Sequence, residues 1–263
     1  MLVAEQLEFG YRYPGSAGHG AVQGWIEKKL DGYGWSSHRQ EFSYHEVQLA
    51  NIIAVHQADS EPFIVLGAHY DTRPIADRED AMDPEPVLGA NDGASGVAVL
   101  LELARSVDPE ELRCQIQLVF FDAEDSGAIE GWDWILGSSY YVTHLEAEPD
   151  AVVIVDMVGD QSLELPKEKN STDWLQEELW SIGRELGYDA FMDRPGYSIL
   201  DDHTPFLQAG IPAVDIIDFN YPYWHTERDT LDKVSAESLE TVGRTLQVWL
   251  DGRCGNNAGM GRD

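Results

Sequence analysis

Two adjacent acidic residues, Glu124 and Asp125, follow the apolar run at 116–121. In an extended chain, neighbouring side chains point to opposite faces. One of these carboxylates can therefore bind a metal ion while the other faces the reacting atoms as a general base. Two acids at the end of a strand predict catalytic chemistry of this kind, provided that further metal ligands lie nearby.

Further residues of metal-binding type follow or interrupt the other apolar segments of the chain. They are His69, Asp71, Asp92, Asp156 and His225. Taken singly each is weak evidence, because a histidine after a strand usually packs in the core and an aspartate before a helix usually caps it. Together, two histidines and three carboxylates supply the nitrogen and oxygen ligands that zinc takes in catalytic sites. The sequence therefore predicts a zinc enzyme.

Segments with strand-like and helix-like patterns alternate along the chain. Strands are predicted at 49–56, 62–68, 115–121, 151–155 and 213–217, and helices after Ser16 and at 93–107, 138–146, 172–186, 203–209 and 236–250. This alternation predicts an α/β protein, built as a three-layer α/β/α sandwich around a central, largely parallel mixed sheet. Ligands of such sheets bind at the carboxyl ends of the strands, where the candidate residues fall.

The chain length of 263 residues suits one large domain with a single core. We expect a single catalytic zinc-enzyme domain over residues 1–251. The segment 252–263 is rich in glycine and asparagine, and we expect it to be a flexible C-terminal tail.

The charge of the chain is strongly negative, with 48 acidic and 17 basic residues and a net charge of −31. Such a surface repels phosphate backbones and anionic lipids, so we expect neither nucleic acid nor a membrane as a partner. The charge favours high solubility or adaptation to concentrated salt. Residues 1–10 have neither the basic nor the apolar region of a signal peptide. Cys114 and Cys254 are too few for a disulfide framework, and neither is expected to bind metal.

Several motifs occur in a fixed order over almost the whole chain. They are His69-Tyr70-Asp71, Gly89-Ala90-Asn91-Asp92-Gly93-Ala94-Ser95-Gly96, Phe120-Phe121-Asp122-Ala123-Glu124-Asp125, Asp156-Met157-Val158-Gly159, Asp201-Asp202-His203 and Trp224-His225-Thr226. This series resembles the zinc-dependent superfamily that contains co-catalytic aminopeptidases and glutaminyl cyclases, and it is most similar to bacterial glutaminyl-peptide cyclotransferases. The resemblance implies an enzyme that acts on the N-termini of peptides or proteins.

Within that resemblance, the aminopeptidase pattern implies two zinc ions. One would be held by His69, Asp92 and Asp156, and the other by Asp92, Asp125 and His225. Glu124 would be the general base for a metal-held water. Such an enzyme would hydrolyse N-terminal residues from peptides.

The cyclase pattern implies one zinc ion, held by Asp92, Asp125 and His225. The reaction converts an N-terminal glutamine to pyroglutamate with release of ammonia and needs no water. Glu124 would move the proton from the α-amine to the leaving ammonia. Asp156 and Asp201 would form an acid network around it.

Two features favour the cyclase. The acidic pair that begins at Asp201 resembles cyclases, whereas peptidases more often have Ser-Asp-His there. Trp224, directly before His225, suits a narrow pocket for a planar lactam, although it could equally be hydrophobic cover. Trp132 and Trp134, after the Glu124-Asp125 pair, could line the pocket or only pack.

Asp71 is expected to orient His69 from outside the metal's own ligand set. The resemblance also implies an exported or cell-envelope protein. A degenerate relative that only binds peptides is a further alternative, which the retained Glu124 disfavours.

Overall fold

The computed structural model describes residues 1–56, 62–79, 82–107 and 112–255. Its helices are α1 (Leu2–Leu7), α2 (Ala17–Gly32), α3 (Ala94–Ser106), α4 (Leu136–Thr143), α5 (Asp173–Glu185), α6 (Thr204–Gln208) and α7 (Ala236–Cys254). Its strands are β1 (Ser36–Tyr44), β2 (Val47–His56), β3 (Phe63–His69), β4 (Gln115–Phe121), β5 (Ala151–Asp156), β6 (Leu165–Lys167), β7 (Phe191–Pro195) and β8 (Ala213–Ile217).

Six strands form the central sheet in the order β1-β2-β4-β3-β5-β8. The four strands β4, β3, β5 and β8 are parallel, whereas β1 and β2 run antiparallel to their neighbours. The strands β3, β5 and β8 are buried along their whole length, as expected for a parallel sheet covered on both faces. The predicted mixed, largely parallel sheet is confirmed.

Helices cover both faces of this sheet. On one face, α2, α3, α5 and α7 pack into the larger core through side chains such as Ile26, Leu100, Trp180 and Trp249. On the other face, α4 and α6 contribute Tyr141 and Phe206 to a smaller core. The three-layer α/β/α sandwich predicted from the alternation of strands and helices is therefore confirmed.

Two glycines let helix α3 approach the sheet closely and bring its first turn to the strand ends. Gly93 has φ +96, and a Cβ there would stand 2.5 Å from the Asp71 carbonyl oxygen. At Gly96 a Cβ would stand 2.2 Å from the Val155 carbonyl oxygen. Larger residues at these positions would push the helix away from the sheet, and Asp92 with it.

The carboxyl-terminal segment differs from the prediction. Helix α7 runs to Cys254, so residues 252–254, expected to belong to a flexible tail, are helical. Cys254 is buried and forms a disulfide with Cys114, just before β4, a pairing that the sequence analysis did not predict. The carbonyl of Cys254 also accepts a hydrogen bond from the Arg113 backbone at 2.8 Å. The rest of the predicted tail, 256–263, lies outside the described residues.

Polar strands were missed by the periodicity argument. Strand β1 has no apolar run, since it lies at the sheet edge and pairs only with β2. The short pair β6 and β7 forms a separate two-stranded sheet. No helix in the described segments combines the length and the apolar character needed to cross a membrane.

Candidate metal centre

The candidate ligands meet at the carboxyl edge of the parallel strands. His69 ends β3, Asp156 ends β5, and Glu124 and Asp125 follow β4 by a short turn. Asp92 lies just before α3, and His225 lies in the segment after β8. Parallel strands have their carboxyl ends at one edge, so distant parts of the sequence converge there.

Two adjoining groups of ligand atoms result. In each, the ligand atoms all lie within 4.8 Å of one another; the groups are Asp92, Asp125, His225 and His69, Asp92, Asp156. His225 Nε2 is 3.0 Å from Asp125 Oδ1 and 3.8 Å from Asp92 Oδ2. His69 Nε2 is 3.1 Å from Asp156 Oδ1 and 3.3 Å from Asp92 Oδ1. The geometry thus brings together all five predicted ligands, with Asp92 shared by both groups.

The first group fits a zinc ion. Asp92 Oδ2 and Asp125 Oδ2 are buried and have no hydrogen-bond partner among the described residues. A buried carboxylate oxygen without a partner is costly, whereas a divalent cation would satisfy both oxygens at once. Two carboxylates and one imidazole are also a donor set that zinc accepts in catalytic sites.

Asp71 links three parts of the site. Its carboxylate accepts hydrogen bonds from the backbone N–H groups of Glu124 (3.0 Å) and Asp125 (3.2 Å). Its Oδ1 is also 3.5 Å from His69 Nδ1, at the outer limit of a hydrogen bond. The predicted position beside His69 is therefore found, but the stronger contacts of Asp71 hold the turn that carries the acidic pair.

His225 is braced by a residue that the sequence analysis did not single out. Its Nδ1 lies 3.1 Å from Asp77 Oδ1, and the same carboxylate accepts hydrogen bonds from the Arg73 guanidinium. Arg73 in turn donates to the carbonyl oxygens of Asp125 and Gly127. Asp77 lies between the predicted strand at 62–68 and the predicted helix at 93–107, and no local pattern marks its contact with a histidine 148 positions away.

A second unpredicted brace holds Asp92. The Asp229 carboxylate accepts hydrogen bonds from the backbone N–H groups of Asn91 (2.9 Å) and Asp92 (3.0 Å), and from the Tyr221 hydroxyl. These contacts fix the turn before α3. In the sequence, Asp229 follows His225 by four residues, and this spacing is the signal from which its role could have been predicted.

Burial and mutual repulsion shift the pKa values of the acids. Burial raises the pKa of Glu124 well above its usual value, and the negative charge of Asp201 raises it further. The same two causes raise the pKa of Asp156 to about 7. Burial and the charge of Asp92 raise the pKa of Asp125 to about 6. Glu124 therefore keeps its proton to a higher pH than an ordinary glutamate, which suits a group that accepts and returns a proton during catalysis.

Burial lowers the pKa values of the two histidines, whereas it raises those of the acids. Burial alone would lower the pKa of His225, but the charge of Asp125 and its hydrogen bond raise it to about 9. Burial likewise opposes protonation of His69, and the charge of Asp156 raises its pKa well above the usual value. In the absence of metal, each histidine therefore tends to be a cation between carboxylates.

A cleft of about 220 Å³ opens beside these ligands. Glu124 and Asp201 line it together with the first metal group, and Trp224, Phe219 and Trp134 form much of its aromatic wall. Behind Asp201, His203 lies between Glu168 (3.3 Å) and Asp215 (3.7 Å) in a buried polar cluster. A larger groove between α1, α3 and α7 contains none of the candidate ligands, so the chemistry falls in the smaller cleft.

The two tryptophans of the loop after β4 lie in different surroundings. Trp132 is not in the cleft; it packs against Tyr44 and His45 on the β1–β2 hairpin. Trp134 lines the cleft instead, with its ring nearly parallel to His225 and with Arg73 4.5 Å from its ring centre. For Trp132 the packing alternative is found and the pocket role is wrong, because its ring lies against Tyr44 and His45 rather than in the cleft. Trp224 lines the cleft as expected.

Fold and site together define a zinc-exopeptidase-like α/β/α protein with two adjoining ligand groups. Residues 51–250 match the family described as Peptidase family M28. The chain belongs to this family.

Named relatives agree with this assignment. A glutaminyl-peptide cyclotransferase from Boiga irregularis is 26% identical, over 91% of this chain and 76% of the relative. The crystal structure of Porphyromonas gingivalis glutaminyl cyclase superposes with a TM-score of 0.89 at 32% identity, covering 96% of both chains. The structure of a Zn-dependent exopeptidase from Parabacteroides distasonis superposes with a TM-score of 0.88 at 30% identity, covering 95% of both chains. The predicted superfamily is confirmed.

Proposed function

We propose that this protein is a metal-dependent glutaminyl-peptide cyclotransferase, which converts the N-terminal glutamine of peptides to pyroglutamate with release of ammonia. The main support is the juxtaposition of Glu124, Asp201 and Trp224 around one narrow cleft beside the first metal group. The relatives named glutaminyl cyclases, which cover nearly the whole chain, point to the same reaction.

We propose one zinc ion, held by Asp92, Asp125 and His225. In the second group, His69 Nε2 already lies 3.1 Å from Asp156 and 3.3 Å from Asp92. A protonated His69 supplies a positive charge between these two carboxylates. That charge takes over the electrostatic role of a second ion.

The zinc ion, when bound, polarises the γ-carbonyl of the substrate glutamine. Glu124 accepts a proton from the α-amine as the amine nitrogen attacks the carbonyl carbon (Cδ) of the side-chain amide. It then returns this proton to the amide nitrogen, the carbon–nitrogen bond breaks, and ammonia leaves. A carboxyl group with a raised pKa suits both transfers. Its carboxylate is a stronger base toward the amine than an ordinary glutamate, and its protonated form can still donate to the leaving nitrogen.

Asp201 and Asp156 adjust this proton transfer. The charge of Asp201 opposes ionisation of both Glu124 and Asp156, so these two buried acids hold protons that isolated acids would lose. Trp224 closes one side of the cleft. Because amine and amide belong to one residue, a pocket that folds the glutamine correctly supplies much of the rate acceleration.

A two-zinc aminopeptidase is the second candidate, favoured by the completeness of both ligand groups. It would use Glu124 to activate a water molecule and would release the first residue of the peptide. It predicts two tightly held zinc ions per chain and turnover of leucyl or alanyl substrates.

One preparation can test both candidates. Zinc content is measured after gel filtration, and the same sample is assayed with glutaminyl-naphthylamide and leucyl-naphthylamide. The cyclase predicts one zinc ion per chain and pyroglutamyl-naphthylamide as product, with a loss of at least about 100-fold in rate for Glu124→Gln. Free naphthylamine as the first product would refute cyclisation, and a fully active Glu124→Gln would remove this residue from the mechanism.

We further propose that the protein works in an oxidising compartment, as an exported or cell-envelope protein. The support is the buried Cys114–Cys254 disulfide, since such bonds persist mainly outside the reducing cytosol. Thiol titration of protein isolated from its native source, with prompt alkylation, tests this directly. Two free thiols per native chain would count against export.

A further inference from the structure

A second, shallower groove continues the catalytic cleft outward. Trp224 and Phe219 line both, with their ring centres 4.7 Å apart. Tyr197, which is 49% exposed, packs against the far side of Phe219 at 5.6 Å. These three rings form a continuous aromatic path from the metal ligands to the surface. A peptide whose first residue occupies the cleft has this path for its next residues.

Arg78 stands at the junction of cleft and groove. Its guanidinium lies 3.9 Å from the centre of the Trp224 ring, and its backbone N–H donates to the His225 carbonyl at 3.2 Å. The side chain is exposed, and within the described segments it forms no ion pair. A guanidinium stacked on an indole is held in place while its N–H groups stay available at its edge.

This placement favours an anionic group directly after the first residue of the substrate. The cleft itself is lined by acids, among them Asp92, Asp125 and Asp156, so Arg78 offers the opposite charge at its mouth. One extended residue spans about 3.5 Å, so the second residue of a peptide emerges beside Trp224. Planar, forked N–H donors match a carboxylate.

We infer that Arg78 is a specificity residue that favours peptides with an acidic side chain immediately after the N-terminal glutamine. This inference rests on the proposed function. The net charge of −31 repels an acidic peptide at long range. That repulsion is screened beyond about 10 Å at 0.1 M salt, whereas contact with Arg78 is local.

The test is a competition between two peptides, Gln-Glu-Ala-amide and Gln-Gln-Ala-amide, which differ only in one charge. For the zinc-loaded wild-type chain, the ratio of kcat/KM values should favour the glutamate peptide about three- to fivefold at low ionic strength, the range of a good exposed ion pair. The preference should disappear near about 1 M salt. Arg78→Ala should reduce the ratio to one or below, and Arg78→Glu should invert it. Arg78→Lys should retain part of it.

Arg228 offers a matched control, because it is also an exposed arginine stacked on an aromatic ring, that of Tyr223 at 4.6 Å, but it does not line the groove. Arg228→Ala should keep the wild-type ratio. A wild-type ratio near one, or an Arg78→Ala variant that keeps the preference, overturns the inference.

Failure of the proposed function gives a different result. If the peptides are hydrolysed rather than cyclised, the proposed reaction is wrong, yet the same ratio still tests Arg78. If neither peptide reacts, the ratio of their Kd values by calorimetry takes its place, and equal values overturn the inference.

Discussion

Removal of the Cys114–Cys254 disulfide is expected to lower the melting temperature substantially while leaving the site intact. The bond joins residues 140 positions apart, the start of β4 and the end of α7. For a loop of that length, the chain-entropy relation gives a limit of about 5 kcal/mol at 25 °C, and measured disulfides typically contribute about 2–4 kcal/mol. For a domain of this size each kcal/mol corresponds to roughly 2 °C. We therefore expect Tm to fall by about 4–8 °C.

The assay compares thermal unfolding of the wild type with that of the double variant Cys114→Ala/Cys254→Ala, each with and without reductant. Reductant should lower the Tm of the wild type and leave that of the variant unchanged. This comparison distinguishes the effect of the bond on Tm from the effect of losing two buried sulfur atoms. Activity at 25 °C should survive in the variant. Cys114 lies at the opposite end of β4 from Glu124, and seven strand residues span about 23 Å.

A Tm difference below about 2 °C would refute the entropic reasoning, since even a weakly stabilising bond should exceed it. Two titratable thiols in the unreduced, unfolded protein would refute the bond itself. The second result would also remove the support for an oxidising compartment.

Three further outcomes are expected. Asp77→Asn should weaken zinc binding about 10- to 100-fold in competition with a chelator, because it loosens His225; unchanged affinity would show that the brace is not needed. Trp134→Ala should raise KM for a glutaminyl peptide about two- to tenfold, whereas Trp132→Ala should not, and equal effects would contradict their different positions. Zinc-free protein should lose stability as pH rises. The pKa of Asp156 is raised from 3.8 to about 7 and that of His225 from 6.5 to about 9, so the folded chain binds the extra protons. The stability that the protonated His225 contributes is lost as pH rises from its unfolded to its folded pKa, so Tm should fall from pH 7 to 9, and a Tm that rises over this range would contradict these shifts.

The layered fold could be predicted from local patterns in the sequence, and the five candidate ligands from those patterns together with the resemblance to the zinc-dependent superfamily. Buried strands are continuous apolar runs, and parallel strands end at one edge, so a polar residue such as His69 or Asp156 after such a run has a predictable place. Ser16 was likewise predicted as a helix cap, and its hydroxyl accepts a hydrogen bond from the His19 backbone at 3.1 Å.

What could not be predicted depends on contacts between distant segments. Asp77 reaches His225 only because a long loop folds back over the sheet edge. The disulfide pairs Cys114 with the end of a helix whose length was underestimated, since Arg253 and Cys254 continue it beyond Gly252. The polar strand β1 lacked the apolar alternation on which strand prediction rests.

The identity of the attacking nucleophile tests the central claim most directly. Zinc-loaded protein is incubated with a peptide that begins with glutamine, in water enriched in heavy oxygen, and the products are weighed by mass spectrometry. Attack by the substrate's own amine predicts a full-length peptide that has lost one ammonia and contains no heavy oxygen. Free glutamine with heavy oxygen in its carboxylate, together with a shortened peptide, would contradict the account.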